Sequence, residues 1–343
     1  MENLNFKKLS YRNEIDGLRA IAVISVIINH FNKDAIPSGY LGVDIFFVIS
    51  GYVITSSIVR REEINFFRYI SGFYERRIKR LIPLLAIFVI LTSIIICIFN
   101  SFPIFHLRTG ISSLFGLSNV FLFQASSGYF SPSSNLNPFT HTWSLSLEEQ
   151  FYFFYPLLLW VTGYARKNER NSFKTSFLLL SLSLISLFLF IYLYPINQNA
   201  AYFLLPSRFW EIAAGCLAFI SLHDNFTINK FIIKLSSNYI FFALICILFL
   251  PQSNAIISTF LVVLLSSLLI ISIKKSDISF KLLTKNIFLK IGLMSYSLYL
   301  WHWAIISISR WTVGIYWWTI PIQILVIYCI SLITYKYRDK PIR

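Results

Sequence analysis

The chain has 343 residues, of which 56% are hydrophobic and only 13% charged, with a mean hydropathy of +0.66. Soluble domains carry about 25% charged residues, so this composition excludes an ordinary soluble domain and points to a membrane protein. The net charge of +15 would suggest nucleic acid in a soluble protein; here its distribution along the chain makes it an orientation signal, and no nucleic-acid partner is expected.

Apolar windows near 20 residues recur throughout, each long enough to cross a hydrocarbon core of roughly 30 Å as a helix. In chain order they fall at about 17–35, 40–59, 81–99, 144–163, 176–194, 203–222, 238–251, 254–273, 291–309 and 319–335. The expected fold is all-α: one polytopic domain over 1–343 with about ten transmembrane helices. The first window follows a polar lead and has no small-residue cleavage site, so it is expected to be a retained helix, not a signal peptide. With the N-terminus in the cytoplasm, 26 of the 30 Lys and Arg residues fall on inner loops and ends, leaving Lys33, Arg108, Arg208 and Arg310 outside. The positive-inside rule then predicts both termini to be cytoplasmic. Making "ISSLFGLSNVFLFQA" (111–125) a full span would move "ARKNERNSFK" outside and destroy that asymmetry. Residues 100–143 are therefore expected to form an outer excursion that dips into the membrane and returns, which is tolerated only where backbone is buried in protein or lines a cavity. Cys97, Cys216, Cys246 and Cys329 are scattered singly, with neither metal spacing nor a disulfide framework, and no metal is expected.

Ionisable residues inside such windows are costly and are functional candidates by default. The run "GLRAIAVISVIINHF" (17–31) holds Arg19 and His30. Eleven helical steps come to about 1100°, close to three full turns, and rise about 17 Å, so both side chains share a face. Asp16, one turn before Arg19, lies on that face and is expected to pair with it. Arg19 falls near the inner boundary and His30 past mid-membrane; the plainer alternative is a snorkelling arginine and a histidine bonded to a neighbouring helix. A neutral histidine in a pocket suits proton transfer or covalent carriage of a group.

The third window opens with "FYERRIKRLIP", which carries Arg76, Arg77, Lys79 and Arg80. Much of this is ordinary positive-inside charge. Arg77 and Arg80, however, share a helix face at i, i+3, and two guanidinium forks suit a phosphorylated ligand. Next, "HTWSLSLEEQFYFFYP" (141–156) gathers His141, Trp143, Ser144, Ser146, Glu148, Glu149 and Gln150 at a span entrance. Two adjacent carboxylates entering an apolar helix need partners or water. Further on, Arg208 and Glu211 lie three apart in "PSRFWEIAAG" and read equally well as a structural ion pair, while His302 in "SYSLYLWHW" reads as a packing histidine.

Seven stretches, "YRNEIDGLRAIAVISVIINHF", "GYLGVDIFFVISGYVIT", "FYERRIKRLIP", "HTWSLSLEEQFYFFYP", "PSRFWEIAAG", "SYSLYLWHW" and the closing "YRDKPIR", occur in order from about residue 11 to 343. Together they resemble the acyltransferase 3 family, whose members O-acetylate bacterial surface polysaccharides such as O-antigen or capsule. The resemblance implies a multi-pass protein of the bacterial inner (cytoplasmic) membrane that takes acetyl from cytoplasmic acetyl-CoA and delivers it to a glycan hydroxyl on the periplasmic side. The family's Arg-x10-His pattern falls on Arg19 and His30, and its Arg-x-x-Arg pattern, tied to donor binding, on Arg77 and Arg80. Fused members carry a periplasmic SGNH-type domain, whereas this sequence stops at Arg343. A separate SGNH-type protein, or a longer chain, is expected to supply that domain if it is used.

These readings combine into one expected mechanism. Arg77, Arg80 and Arg76 receive the phosphates of acetyl-CoA, with Arg19 holding the donor or stabilising charge. His30 acts as general base toward the acceptor or as transient acyl carrier. Ser144 and Glu148 join the catalytic set, while Trp143, Glu149, Arg208 and Glu211 shape the acceptor end. The competing reading is a transporter of a lipid-linked sugar or organic anion, against which no repeated halves or paired broken helices are seen; a weaker one is a sensor that has lost catalysis.

Overall fold

The computed structural model of the chain describes residues 11–60, 65–125, 136–166, 171–224, 226–227 and 229–339. Among them all regular structure is helical. In order, the α-helices of six or more residues are α1 (Asn13–Phe31), α2 (Gly42–Val59), α3 (Phe66–Phe99), α4 (Ile104–Leu114), α5 (Ser118–Gln124), α6 (Thr142–Val161), α7 (Ser172–Ile196), α8 (Gln198–Phe203), α9 (Leu205–His223), α10 (Ser237–Ile247), α11 (Ala255–Ser272), α12 (Ile278–Leu283), α13 (Asn286–Leu293), α14 (Ser295–Trp311) and α15 (Ile320–Thr334).

Local sequence sets several of these starts. The side chains of Asn65, Asn171 and Asn197 accept hydrogen bonds from the free N–H groups of the first turns of α3, α7 and α8, as asparagine does at helix N-caps. Pro206 sits in the first turn of α9, where its missing N–H costs nothing.

Six segments are long and apolar enough to cross a membrane: Gly39–Val59, Phe66–Phe99, Ser172–Ile196, Gln198–His223, Gln252–Ser272 and Ile320–Tyr337. The pair α13 and α14, bent by 68° at its break, makes a seventh if taken as one span. The ten expected windows all contain helix, but the remainder differ from a simple apolar span for visible reasons. Helix α1 carries Glu14, Asp16 and Arg19 in its first two turns, α6 carries Glu148 and Glu149, and α10 has 11 residues. Helices α1 and α6 bury many polar side chains inside the bundle, so they need not be apolar all round. By contrast α7 turns Phe177, Leu184, Ile185 and Phe188 outward, a face suited to lipid. The apolar stretch at 111–125 is two short helices, α4 and α5, joined through Gly116 at φ 66°, and neither can cross. Part of the expected excursion, 126–135, lies outside the described residues, as do both chain ends.

The main core gathers side chains from α1, α2, α6, α9 and α14, and a second cluster joins Leu84, Leu85 and Phe88 of α3 to Phe139, Leu300 and Trp301. Helices α2 and α9 cross closely. A Cβ on Gly51 would lie 1.9 Å from the carbonyl oxygen of Ile212, and one on Gly215 1.8 Å from that of Val48. Two glycines facing opposite backbones let the helices touch main chain to main chain, the small-residue packing common in membrane bundles. Gly51→Val or Gly215→Val is therefore expected to lower stability by at least about 2 kcal/mol, measured as a fall in melting temperature in detergent; a variant melting with the parent would contradict the crossing.

Candidate functional site

One pocket, a cavity of about 90 Å³ open at its mouth, is walled by α1, α2, α3, α6 and α14. Its polar wall combines residues from three of the sequence clusters: Arg19 from α1, Arg77 and Arg80 from α3, and Ser144, Glu148 and Glu149 from α6. Helical spacing explains the grouping. Ser144, Glu148 and Tyr152 recur every four residues and line one face of α6, as Arg77 and Arg80 do on α3 at a spacing of three. Tyr296 and Tyr299 bring α14 to the same wall, with Ser50 from α2.

Each charge in the pocket is held differently. Asp16 takes the Arg19 guanidinium at 3.2 Å and the hydroxyl of Tyr11, so the expected Asp16–Arg19 pair is present. Glu148 accepts a hydrogen bond from Tyr152 at 2.9 Å. Arg77 bonds the Ser57 hydroxyl at 3.2 Å and lies over the rings of Tyr152 (5.1 Å) and Phe73 (5.8 Å). Among the described residues no carboxylate is in ion-pair range of Arg77, which leaves a guanidinium facing a cavity with its charge available to an anion.

At one end the pocket is closed by a hydrogen-bonded pair. The Tyr299 hydroxyl donates to the carbonyl of His141 at 3.0 Å, and stands 2.7 Å from the Ser144 hydroxyl. The Ser144 hydroxyl also reaches the His141 carbonyl oxygen at 3.3 Å, so either hydroxyl can be the donor between the two. One helical turn beyond, about 4.5 Å of rise on each helix, lies a layer of three imidazoles. His302 is three residues after Tyr299, and His141 three before Ser144. The His30 ring stacks on His302 with centroids 5.4 Å apart, and His141 meets His302 at 5.6 Å. Trp303 packs edge-on against His30 at 4.5 Å. Arg310 bonds the His30 carbonyl oxygen at 3.1 Å. His30 is therefore on the same side of α1 as Arg19, as the turn count requires, but it stands beyond the pocket wall in this second layer.

The ring nitrogens of that layer are partly unmatched. His302 is fully buried and its Nδ1 faces the carbonyl oxygens of Tyr299 (2.7 Å) and Leu298 (3.1 Å). Two acceptors force the proton onto Nδ1, leaving Nε2 as a lone pair. Among the described residues, that Nε2 and both ring nitrogens of His141 have no hydrogen-bond partner. Each such group costs about 1–3 kcal/mol when left buried and unmet.

The other expected site residues lie elsewhere. Arg208 is buried and bonds Asp44 at 2.9 Å and Glu211 at 2.6 Å, with its guanidinium over Tyr202 and Phe190. This ion cluster joins α2 to α9 apart from the pocket wall. Trp143 is buried against Tyr202 (4.4 Å) and Phe47 (6.1 Å), behind the pocket. Arg76 is half-buried on α3 and does not line the wall. Sequence reasoning missed Tyr299, Tyr152 and Ser50 on the wall and Asp44 in the ion cluster. Tyr299 had one available signal, its spacing of three from both Tyr296 and His302. Asp44 had another, as a lone acid in an apolar run.

A family model described as "Acyltransferase domain" matches residues 12–336. A Staphylococcus aureus (strain MSSA476) protein named "Putative O-acetyltransferase SAS0844" is 33% identical over 357 residues, covering 98% of this chain and 58% of its own length. "O-acetyltransferase OatA" of Staphylococcus aureus (strain NCTC 8325 / PS 47) is 33% identical over 374 residues, covering 100% of this chain and 60% of its own length. The chain thus spans less than two thirds of the length of these curated relatives. No solved structure matches it.

Replacing Arg208 by Met leaves Asp44 and Glu211 buried without their counter-charge, and is expected to cost about 3–5 kcal/mol. Thermal melting of the purified protein measures this, and an unchanged melting temperature would show that the cluster does not hold α2 to α9.

Proposed function

The chain belongs to the acyltransferase 3 family and is a multi-pass membrane protein, and from that premise we propose that it is the membrane part of an O-acetyltransferase that moves acetyl from cytoplasmic acetyl-CoA to a hydroxyl of a cell-envelope glycan on the far side of the membrane. The observation that carries this reading is the convergence of Arg19, Arg77 and Arg80 with Ser144, Glu148 and Glu149 on one pocket, with the histidine layer beyond its closed end. In this reading the protein crosses the cytoplasmic membrane ten times with both termini inside, so that the arginine end of the pocket faces the cytoplasm. The relatives' names support the O-acetyl chemistry.

The phosphates of acetyl-CoA dock on Arg77 and Arg80, with Arg76 adding to the positive field at the mouth. The thin pantetheine arm enters the pocket beside Arg19 and carries the thioester toward Ser144 and Tyr299. A hydroxyl oxygen attacks the thioester carbonyl carbon, the carbon–sulfur bond breaks, and the hydroxyl proton is taken up by an imidazole and returned to the departing thiolate. His30 is the imidazole that meets the acyl group at the end of the path. Glu148, held by Tyr152, and Glu149 set the charge of the wall they share with the arginines, and Trp143, Arg208 and Glu211 shape the acceptor end. A periplasmic SGNH-type protein or domain is the natural recipient where acetyl is passed on before reaching the sugar.

Two outcomes test this. Arg77→Ala and Arg80→Ala are each expected to weaken acetyl-CoA binding about tenfold, or about 1.4 kcal/mol, and the parent's affinity is expected to fall with added salt; calorimetry on purified protein that found no change would sink the donor site. His30→Ala is expected to keep acetyl-CoA binding while abolishing ester-linked acetyl on the surface glycan, as mass spectrometry of that glycan reads directly.

A further inference from the structure

The mechanism above needs an imidazole to take the acceptor's proton, and the three histidines are not equally prepared for it. A general base needs a fixed tautomer with its lone pair exposed to the reacting group, which is secured by a partner on the other ring nitrogen. His302 has the fixed tautomer, in a fully buried ring. Its Nδ1–H is committed to the carbonyl oxygens of Tyr299 and Leu298, at 2.7 and 3.1 Å, so Nε2 is the lone pair, and it is unmatched in a fully buried ring. Among the described residues, no hydrogen bond anchors either ring nitrogen of His30. Its contacts are the stack on His302, the edge of Trp303, and the Arg310 bond to its backbone oxygen.

A second histidine stands beside His302. The ring of His141, 2% exposed, lies 5.6 Å away centroid to centroid, and among the described residues its two nitrogens make no hydrogen bond. As a neutral ring it offers one N–H and one lone pair. A hydroxyl can give its proton to the His302 lone pair while its oxygen accepts the His141 N–H, so one group satisfies both rings. Buried polar atoms left unmatched in a native protein call for such an explanation. The Tyr299 ring touches both histidines, with centroids 5.4 Å from each, and its hydroxyl belongs to the pocket wall. A thioester at the closed end of the pocket is therefore separated from this pair by a single side chain.

We propose that His302 is the general base toward the acceptor hydroxyl, with His141 holding the hydroxyl oxygen, and that His30 contacts the acyl group without taking that proton. The assignment rests on the acetyl-transfer reading above. In the step, the hydroxyl proton passes to Nε2 of His302 as the oxygen bonds the carbonyl carbon. The carbon–sulfur bond then breaks, and the proton on Nε2 goes to the thiolate, giving ester and free thiol and restoring the neutral ring.

The test is His302→Asn in the full chain. Asparagine keeps an N–H donor for the two carbonyls and removes the Nε2 base. Three quantities are read: ester-linked acetyl on the surface glycan of cells carrying the variant, acetyl-CoA binding by the purified protein, and acetohydroxamate formed from acetyl-CoA and hydroxylamine. Hydroxylamine is a nucleophile that needs no base at neutral pH. The expected result is a loss of surface acetylation of at least about 100-fold, with donor binding and hydroxamate formation within about threefold of the parent. Retained surface acetylation overturns the assignment and leaves the acetyl-transfer reading standing. A parallel loss of all three makes His302 structural and also overturns it. If the parent protein binds no acetyl-CoA, the functional reading falls and takes this assignment with it. Should the Asn variant melt early, His302→Gln is read by the same three measurements.

Discussion

A guanidinium inside an apolar helix bundle must meet either a counter-charge or a polar cavity, and the arrangement of this protein follows from how its arginines meet that demand. Arg12 is tied to Glu14 at 2.6 Å, to the Tyr52 hydroxyl at 3.1 Å and to the Ile270 carbonyl at 2.8 Å, which fastens the start of α1 to α2 and α11. Arg208 is shared between Asp44 and Glu211, which fastens α2 to α9. In both, the charge is paired with carboxylates, and the pairing positions helices. Arg19 and Arg77 are only partly matched and face a cavity. The same cost therefore yields structure where the charges are closed off and a ligand site where they are left open.

The two layers of the site follow from the antiparallel run of α6 against α14. Moving one turn back along α6 from Ser144 reaches His141, and moving one turn forward along α14 from Tyr299 reaches His302, so both helices leave the pocket and enter the histidine layer together. Helix α1 spans both layers by itself, with Arg19 on the pocket wall and His30 in the layer beyond. The Ser144–Tyr299 hydrogen bond, at 2.7 Å, is the seam between them. A donor entering past the arginines and an acceptor arriving at the histidines would meet there, each having crossed only part of the bundle.

Much of this was readable in the sequence, because it depends on helical periodicity. The shared face of Arg19 and His30, the Asp16 partner, the Arg77 and Arg80 pair, and the face of Ser144 and Glu148 are all consequences of residue spacing on a helix. What was not readable depends on contacts between distant segments. Asp44 and Arg208 are 164 positions apart, so spacing could suggest only the Arg208–Glu211 half of that cluster. The lone pair of His302 depends on backbone carbonyls in its own helix, and the setting of His141 on how its ring packs among Phe88, Tyr299 and His302; neither leaves a sequence pattern. Hydropathy also treats every window alike. Helices α1 and α6 owe their place to burial inside the bundle, where polar residues are tolerated, so apolarity alone does not establish how many segments cross.

The central claim is that the pocket between α1, α3, α6 and α14 holds the acyl donor with its reactive end at the Ser144–Tyr299 seam. The most direct measurement is a structure of the protein bound to a thioether analogue of acetyl-CoA, which cannot transfer its acyl group. The account predicts density with phosphates at Arg77 and Arg80, the arm passing Arg19, and the acyl end against Tyr299. Density for the analogue outside this pocket, or entry from the histidine side, would contradict it.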